Sequence, residues 1–206
     1  MKPADNKIYL ASKSPRRREL LRQIGVDFEL LLLRDQSPRG PEVSEEVHPG
    51  EKAEDYVTRV TREKAEYACR TMLWRRLPVR TVLAADTTVT IDGRILGKPA
   101  DSTEAAEMLR ALSGRTHQVL TSVAVRRDET TYEALQISDV TFAVLTDAMI
   151  KAYCATSEPY DKAGGYGIQG MAAVFIQHIS GSHSGIMGLP LHETAQLLHQ
   201  AGITIL

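Results

Sequence analysis

Ile8-Tyr9-Leu10-Ala11-Ser12-Lys13-Ser14-Pro15-Arg16-Arg17-Arg18-Glu19-Leu20-Leu21 reads as a short buried strand, a polar turn and the start of a helix. Ile8 to Ala11 is an apolar run of strand length. Ser14 is a good N-cap and Pro15 a good first helical residue, while Leu20, Leu21 and Ile24 give an apolar stripe that stops at Gly25. Strand, turn and helix in this order are the building unit of an α/β protein. The helix start carries Arg16, Arg17 and Arg18, where backbone N–H groups are unpaired and the macrodipole is positive. Each charge there costs a few tenths to about 1 kcal/mol. A bound anion reverses that sign, and phosphate suits best, because guanidinium forks grip it with paired hydrogen bonds and helix N-termini seat anions. Taken alone, the same residues read equally well as a solvated basic turn.

The 206 residues are 43% hydrophobic and 25% charged, enough to bury one substantial core. A single domain over residues 1–206 is expected, as two closely joined lobes. Formal net charge is −1, so no overall field holds nucleic acid or an anionic membrane, and any polyanion site is local. That favours a small ligand over a polymer. Cys69 and Cys154 both fall in segments read as helices, against a disulfide scaffold and for a reducing compartment. The six histidines have no zinc-like spacing. Met1 to Asn6 is polar with no apolar stretch behind it, and no run approaches transmembrane length, so the cytoplasm is the expected location.

Further along, Val26 to Leu33 reads as a strand whose Leu30–Leu33 run is too apolar to face water on both sides. Arg34 to Gly50 is a charged loop, and Glu51 to Leu73 shows helical spacing at Ala53, Tyr56, Val57 and Val60. Arg80 to Ala85 is a β-rich run that delivers Asp86, Thr87 and Thr88 where a strand leaves the core. Thr88–Ile91, the Asp92-Gly93 turn and Arg94–Leu96 make a hairpin. Asp101 with Glu104 resembles a capping box for a helix through Leu112, closed by Ser113-Gly114. Thr116–Val125 and Thr131–Leu145 read as long strands, and Thr146 caps a helix through Ala155. A glycine-rich loop from Glu158 to Gly170 precedes a strand at Ala173–Ile179, and Gly188-Leu189-Pro190 introduces the last helix. Early alternation of strands and helices, followed by paired strands, predicts an α/β fold: a strongly twisted mixed central sheet flanked by helices, with a ligand cleft between two lobes.

Gly165-Tyr166-Gly167-Ile168-Gln169-Gly170 spells G-x-G-x-x-G but lacks the preceding strand and following helix of a dinucleotide site. It is either a loop needing positive φ at several glycines or a ligand-contacting loop. Asp86, at the mouth of a buried strand, is the strongest acid-base or metal-binding candidate, with a hydrogen-bonded turn aspartate as the ordinary alternative. Lys64 and Lys98 are each surface lysines when read singly, although Gly97 and Pro99 fix the backbone around Lys98. Glu45 and Glu46 by themselves face solvent. Together, an anion-seating helix start, carboxylates, lysines and a glycine loop are what chemistry at a nucleotide phosphate needs. No Walker motif is present.

Ser12-Lys13-Ser14-Pro15-Arg16-Arg17, Arg62-Glu63-Lys64-Ala65, Ala85-Asp86-Thr87, Gly97-Lys98-Pro99, Asp161-Lys162-Ala163-Gly164-Gly165-Tyr166-Gly167-Ile168-Gln169-Gly170 and Gly188-Leu189-Pro190-Leu191 occur in the order seen in the Maf family of nucleoside triphosphate pyrophosphatases. The resemblance runs from about Ile8 to the last helix. It implies a Maf/ITPase-like fold, often dimeric, so that a homodimer is an open expectation. It also implies cleavage between the α- and β-phosphates of a small-molecule nucleoside triphosphate, with a divalent cation, Mg²⁺ or Mn²⁺. Carried over by motif, Asp86 is the proton acceptor, while Ser12, Arg16, Arg17, Lys64 and Lys98 hold the triphosphate. Asp86 and a loop glutamate, best matched by Glu45 with Glu46 as the alternative, hold the metal.

Arg16, Thr87 and Gln169 resemble the branch acting on dTTP and UTP, whereas the 7-methyl-GTP branch has Trp, Gln and a nearby Glu at the matching places. A neutral amide such as Gln169 pairs with the O4/N3 edge of uracil or thymine. Modified pyrimidine triphosphates are an open further substrate, and the competing expectations are a nucleotide-binding regulator of septum formation and cell division with little turnover, or a 7-methyl-GTP pyrophosphatase. Nucleic-acid binding is disfavoured, since the chain has no basic stripe with interleaved aromatics.

Overall fold

A computed structural model describes residues 6–33 and 43–205. The loop expected from Arg34 to Gly50 therefore lies partly outside the described residues; its described part, 43–50, holds no helix or strand.

Strand β1 (Ile8–Leu10) leads through the polar turn into α1 (Pro15–Gln23), capped as the sequence predicts by the Ser14 hydroxyl, which accepts from Arg17 N. β2 (Phe28–Leu30) pairs parallel with β1. It is far shorter than the Val26–Leu33 strand expected, and it lies at the sheet edge. Only Leu31 of the leucine run is fully covered, while Leu30 and Leu32 are exposed, because an edge position has neighbours on one side alone. Helix α2 (Ala53–Trp74) follows, and β3 (Val82–Ile91) runs unbroken where two shorter strands were expected.

The hairpin to β4 (Arg94–Leu96) turns at Asp92 and Gly93, both at positive φ (52° and 75°), as a two-residue hairpin turn requires. α3 (Ser102–Leu112) is capped by Asp101, whose carboxylate accepts from Thr103 N and Glu104 N. β5 (Thr116–Arg127), β6 (Thr130–Phe142) and α4 (Asp147–Cys154, capped by Thr146) come next, within a few residues of their expected bounds.

Two departures follow the glycine-rich loop. Residues Met171–Phe175 form a 3₁₀ turn instead of strand, and β7 covers Ile176–Ser180. The turn is imposed from outside: the Glu158 carboxylate accepts from Met171 N and Ala172 N, capping it in a way no local pattern encodes. A short helix, α5 (His183–Met187), precedes α6 (Leu191–Gln200) and was not expected.

Among the described residues the sheet has seven strands, in the order β2-β1-β3-β5-β6-β7 with β4 beside β3. β1, β2 and β3 are mutually parallel and the remaining pairs antiparallel, so the sheet is mixed as expected. Side chains alternate across it. On one face Ile8, Leu10, Leu83, Ala85, Val123 and Val125 pack against Leu20 and Leu21 of α1 and Leu197 and Leu198 of α6. On the other, Tyr9, Val82, Ala84 and Ala124 meet Ala65, Ala68 and Met72 of α2. Farther along, Val89, Ile91 and Leu96 join a third cluster with α3, α4 and the aromatic rings of Phe142, Tyr153, Tyr166 and Phe175. β3 thus has two apolar ends and a polar middle, Asp86-Thr87-Thr88. Among the described residues no helix is long and apolar enough to cross a membrane.

Candidate functional site

The polar middle of β3 lies where the strand changes partners. β5 follows one edge from Val82 to Thr90; the other edge pairs with β1 at Val82–Leu83 and with β4 at Val89–Ile91. The intervening stretch borders a cavity of about 790 Å³. Side chains from both faces of the sheet reach it. By alternation Asp86 stands on the α2 face and Thr87 on the α1 face.

On the α2 face, Lys64 Nζ lies 2.7 Å from Asp86 Oδ1 and 2.6 Å from Glu45 Oε1. The Lys64 and Asp86 side chains are only 16% and 14% exposed. Burial by itself disfavours the ammonium, but the two carboxylates outweigh it and hold the Lys64 pKa above its usual value. Among the described residues Asp86 Oδ2 has no hydrogen bond. Of the two glutamates left open by the sequence, Glu45 makes the ion pair with Lys64, and its carbonyl also accepts from the Tyr56 hydroxyl at 3.0 Å. Burial, reinforced by the charges of Asp86 and Glu45, raises that phenol's pKa. Arg59 fastens the same loop to α2 through Glu51 (2.7 Å) and the Glu46 carbonyl (2.9 Å). Its guanidinium draws the Glu51 carboxyl down to about 2.

On the α1 face, Arg17 is anchored by three acceptors: Gly188 O at 2.7 Å, Ser12 Oγ at 3.1 Å and Thr87 Oγ1 at 3.1 Å. A guanidinium has five N–H donors, so among the described residues two are left without an acceptor, one on each terminal nitrogen. Burial lowers the Arg17 pKa against the pull of Asp86, and an arginine stays charged through such shifts. Arg16 instead reaches across the cavity to Asp161 at 3.2 Å. Asp161 also contacts Lys162, and these cations keep its pKa low even though burial opposes them. Lys98 is exposed at the rim, its backbone fixed where Gly164 N donates to Gly97 O at 2.9 Å.

The glycine loop is shaped by close approach as much as by turn geometry. Gly164 and Gly165 have φ of 71°. A Cβ on Gly170 would stand 2.3 Å from Glu158 Oε1, and one on Gly167 2.7 Å from Lys162 Cε. The loop is pinned below by Tyr166, whose hydroxyl bonds to buried His117 Nε2 at 2.7 Å. Burial pushes that imidazole down to about 4. Gln169 is exposed and lines the cavity.

Ser12, Arg16, Arg17, Glu45, Lys64, Asp86, Thr87, Lys98 and Gln169 all border this one cavity, whereas Arg18, the third arginine of the helix start, does not line it and donates instead to the backbone carbonyls of Lys13 and Ser14. Two supporting residues carried no sequence signal: Tyr56, whose hydroxyl holds the Glu45 carbonyl, and Thr121, whose hydroxyl oxygen lies 2.9 Å from that of Thr87. Tyr56 reads as one more apolar helix position, and Thr121 as an ordinary strand threonine. Among the described residues no group of three metal-ligating side chains gathers. Glu45 and Asp86 do converge on one cation, the Lys64 ammonium.

A family model described as Maf-like protein matches residues 7–201. The dTTP/UTP pyrophosphatase of Aromatoleum aromaticum is 56% identical, covering 98% of this chain and 98% of that protein. That of Ralstonia nicotianae is 58% identical over 96% of this chain and 95% of its own. That of Chromobacterium violaceum is 51% identical over the full length of both. The ordered motifs, the family model across almost every residue and relatives above half identity place this chain in the Maf family.

Proposed function

We propose that this chain hydrolyses dTTP and UTP to the monophosphate and pyrophosphate. The relatives carry that name over nearly their whole lengths, and the cavity supplies groups suited to the reaction. The observation that carries the proposal is the meeting of a carboxylate and several cations around one cavity: Asp86 with Lys64 at 2.7 Å, beside Arg17, Arg16 and Lys98. Asp86 Oδ2 accepts the proton of a water directed at the α-phosphorus. The two spare N–H groups of Arg17, together with Lys98 and Arg16, neutralise the triphosphate and the leaving pyrophosphate. Ser12 keeps the Arg17 fork in place. Thr87 and Gln169 face the remainder of the nucleotide, where an amide offers both a donor and an acceptor to an imide edge.

Glu45 and Asp86 fit a divalent cation. Both already touch one positive charge, and two carboxylates completed by phosphate oxygens and water are a usual donor set for Mg²⁺ or Mn²⁺. A bound ion supplies Lewis-acid neutralisation of the phosphate charge. We place the activity in the cytoplasm, where the free thiols of Cys69 and Cys154 stay reduced.

The test is pyrophosphate release from dTTP, UTP, CTP, ATP, GTP and 7-methyl-GTP with Mg²⁺ or Mn²⁺ present. Turnover concentrated on dTTP and UTP is expected. Tight binding without turnover would point to a regulator, and turnover concentrated on 7-methyl-GTP to the other branch; either result overturns the proposal.

A further inference from the structure

Behind Thr87, on the neighbouring strand, stands Thr121, its side chain fully buried. The two residues are directly paired across the β3–β5 ladder, and their hydroxyl oxygens are 2.9 Å apart. Thr121 Oγ1 also lies 2.8 Å from the carbonyl oxygen of Gly185. These distances fix where each proton is. A carbonyl oxygen has none to give, and two oxygens 2.8 Å apart with no proton between them repel. The Thr121 proton therefore goes to Gly185. The bond between the two threonines must then use the proton of Thr87. Arg17, a donor only, takes one lone pair of Thr87 Oγ1 at 3.1 Å. Among the described residues one lone pair is left, and Thr87 borders the cavity.

We propose that Thr121 is a positioning residue that locks the Thr87 hydroxyl as a pure hydrogen-bond acceptor toward the cavity, so that the site selects a ligand group carrying an N–H or O–H donor at that point. Resting on the dTTP/UTP reading above, the inference gives that donor two sources on the nucleotide. One is the imide N3–H of uracil or thymine, which cytosine replaces with a bare acceptor; the other is the 3′-hydroxyl of the sugar. An acceptor facing an acceptor leaves both unpaired, and a site built for a donor rejects such an analogue strongly. Without the Thr121 hydroxyl, the Thr87 proton has no fixed partner and the hydroxyl can turn to donate. The Gly185 carbonyl is not orphaned by that change, since Gly188 N also donates to it.

The experiment compares kcat/KM for UTP against CTP and for UTP against 3′-deoxy-UTP in the native protein, Thr121→Val, Thr121→Ala and Thr121→Ser. The native protein is expected to prefer UTP about tenfold or more in one of the two pairs. Thr121→Val is expected to cut that preference to within about threefold, and Thr121→Ser to keep it. A shift in the CTP pair assigns the donor to the imide, and a shift in the 3′-deoxy pair assigns it to the sugar. A merely structural role would lower all rates together and leave both ratios unchanged, which overturns the proposal. Thr121→Ala decides if the valine variant does not fold, and a native protein indifferent in both pairs overturns the proposal without any variant. Should UTP bind without turnover, the hydrolase reading fails, and the same ratios are read as Kd by calorimetry, where they uphold or overturn the role of Thr121 independently.

Discussion

Lys64 from the middle of α2 and Asp86 from the centre of β3 meet at 2.7 Å on one face of the sheet, and Glu45 closes on the same ammonium at 2.6 Å. The lysine thus stands between two carboxylates that would otherwise repel each other. It also joins helix, strand and loop at the point where β3 passes from one partner strand to the next.

Asp86→Asn keeps the size of the side chain and a hydrogen-bonding oxygen toward Lys64 but removes the charge. Pyrophosphate release from dTTP and UTP is expected to fall by about 10²–10⁴-fold, with the melting temperature within a few degrees of native. Steady-state kinetics alongside thermal denaturation check this, and near-native turnover removes Asp86 from the chemistry.

Lys64→Met leaves Asp86 and Glu45 facing each other with no cation. At pH 7 the variant is expected to be less stable by about 2 kcal/mol, below the range for fully buried pairs because water reaches this one. Millimolar Mg²⁺ or Mn²⁺ is expected to restore more stability to the variant than to the native protein. Melting curves with and without metal read this without reference to activity, and equal metal effects on the two proteins rule out Glu45 and Asp86 as the cation site.

His117 has its pKa depressed to about 4 by burial, against about 6.5 in the unfolded chain. The folded state therefore favours the neutral imidazole. Its contribution is fully present above about pH 6.5 and is lost as pH falls toward 4, on the order of 3 kcal/mol across that window. His117→Gln is expected to flatten the fall in stability between pH 6.5 and 4. Denaturant titrations at several pH values measure the slope, and an unchanged slope means that other groups carry it.

Gly170→Ala forces a Cβ to within 2.3 Å of Glu158 Oε1, the carboxylate that caps the next 3₁₀ turn. A loss of about 1–3 kcal/mol is expected, with KM for the nucleotide raised because Gln169 is displaced with the loop. Thermal melts and substrate saturation curves test the two effects separately.

The α/β class, the cap at Ser14, the Asp92-Gly93 hairpin, the Asp101 cap and the long β5 and β6 strands were all legible, because each depends on neighbours within a few residues. What failed depends on contacts distant in the chain. Val26–Leu33 shrank to three strand residues because its leucines lie at a sheet edge. The strand expected from Ala173 begins later because Glu158, more than ten residues upstream, captures the N–H groups of Met171 and Ala172. The pairing of Glu45 with Lys64 likewise joins residues far apart in the chain.

By itself the sequence determined which chemical groups are present and which of them are held by local backbone: arginines at a helix start, an aspartate at the end of an apolar strand run, a lysine between Gly97 and Pro99. Tertiary structure decided how those groups face one another. Strand alternation sends Asp86 to α2 and Thr87 to α1, and the change of partner along β3 lets both reach one cavity. The proton order through Thr121 exists only because two antiparallel strands set two hydroxyls side by side beneath the Gly185 carbonyl. Local propensity acts over a turn or a hairpin, whereas a cavity is enclosed by residues that are close only after the sheet has formed.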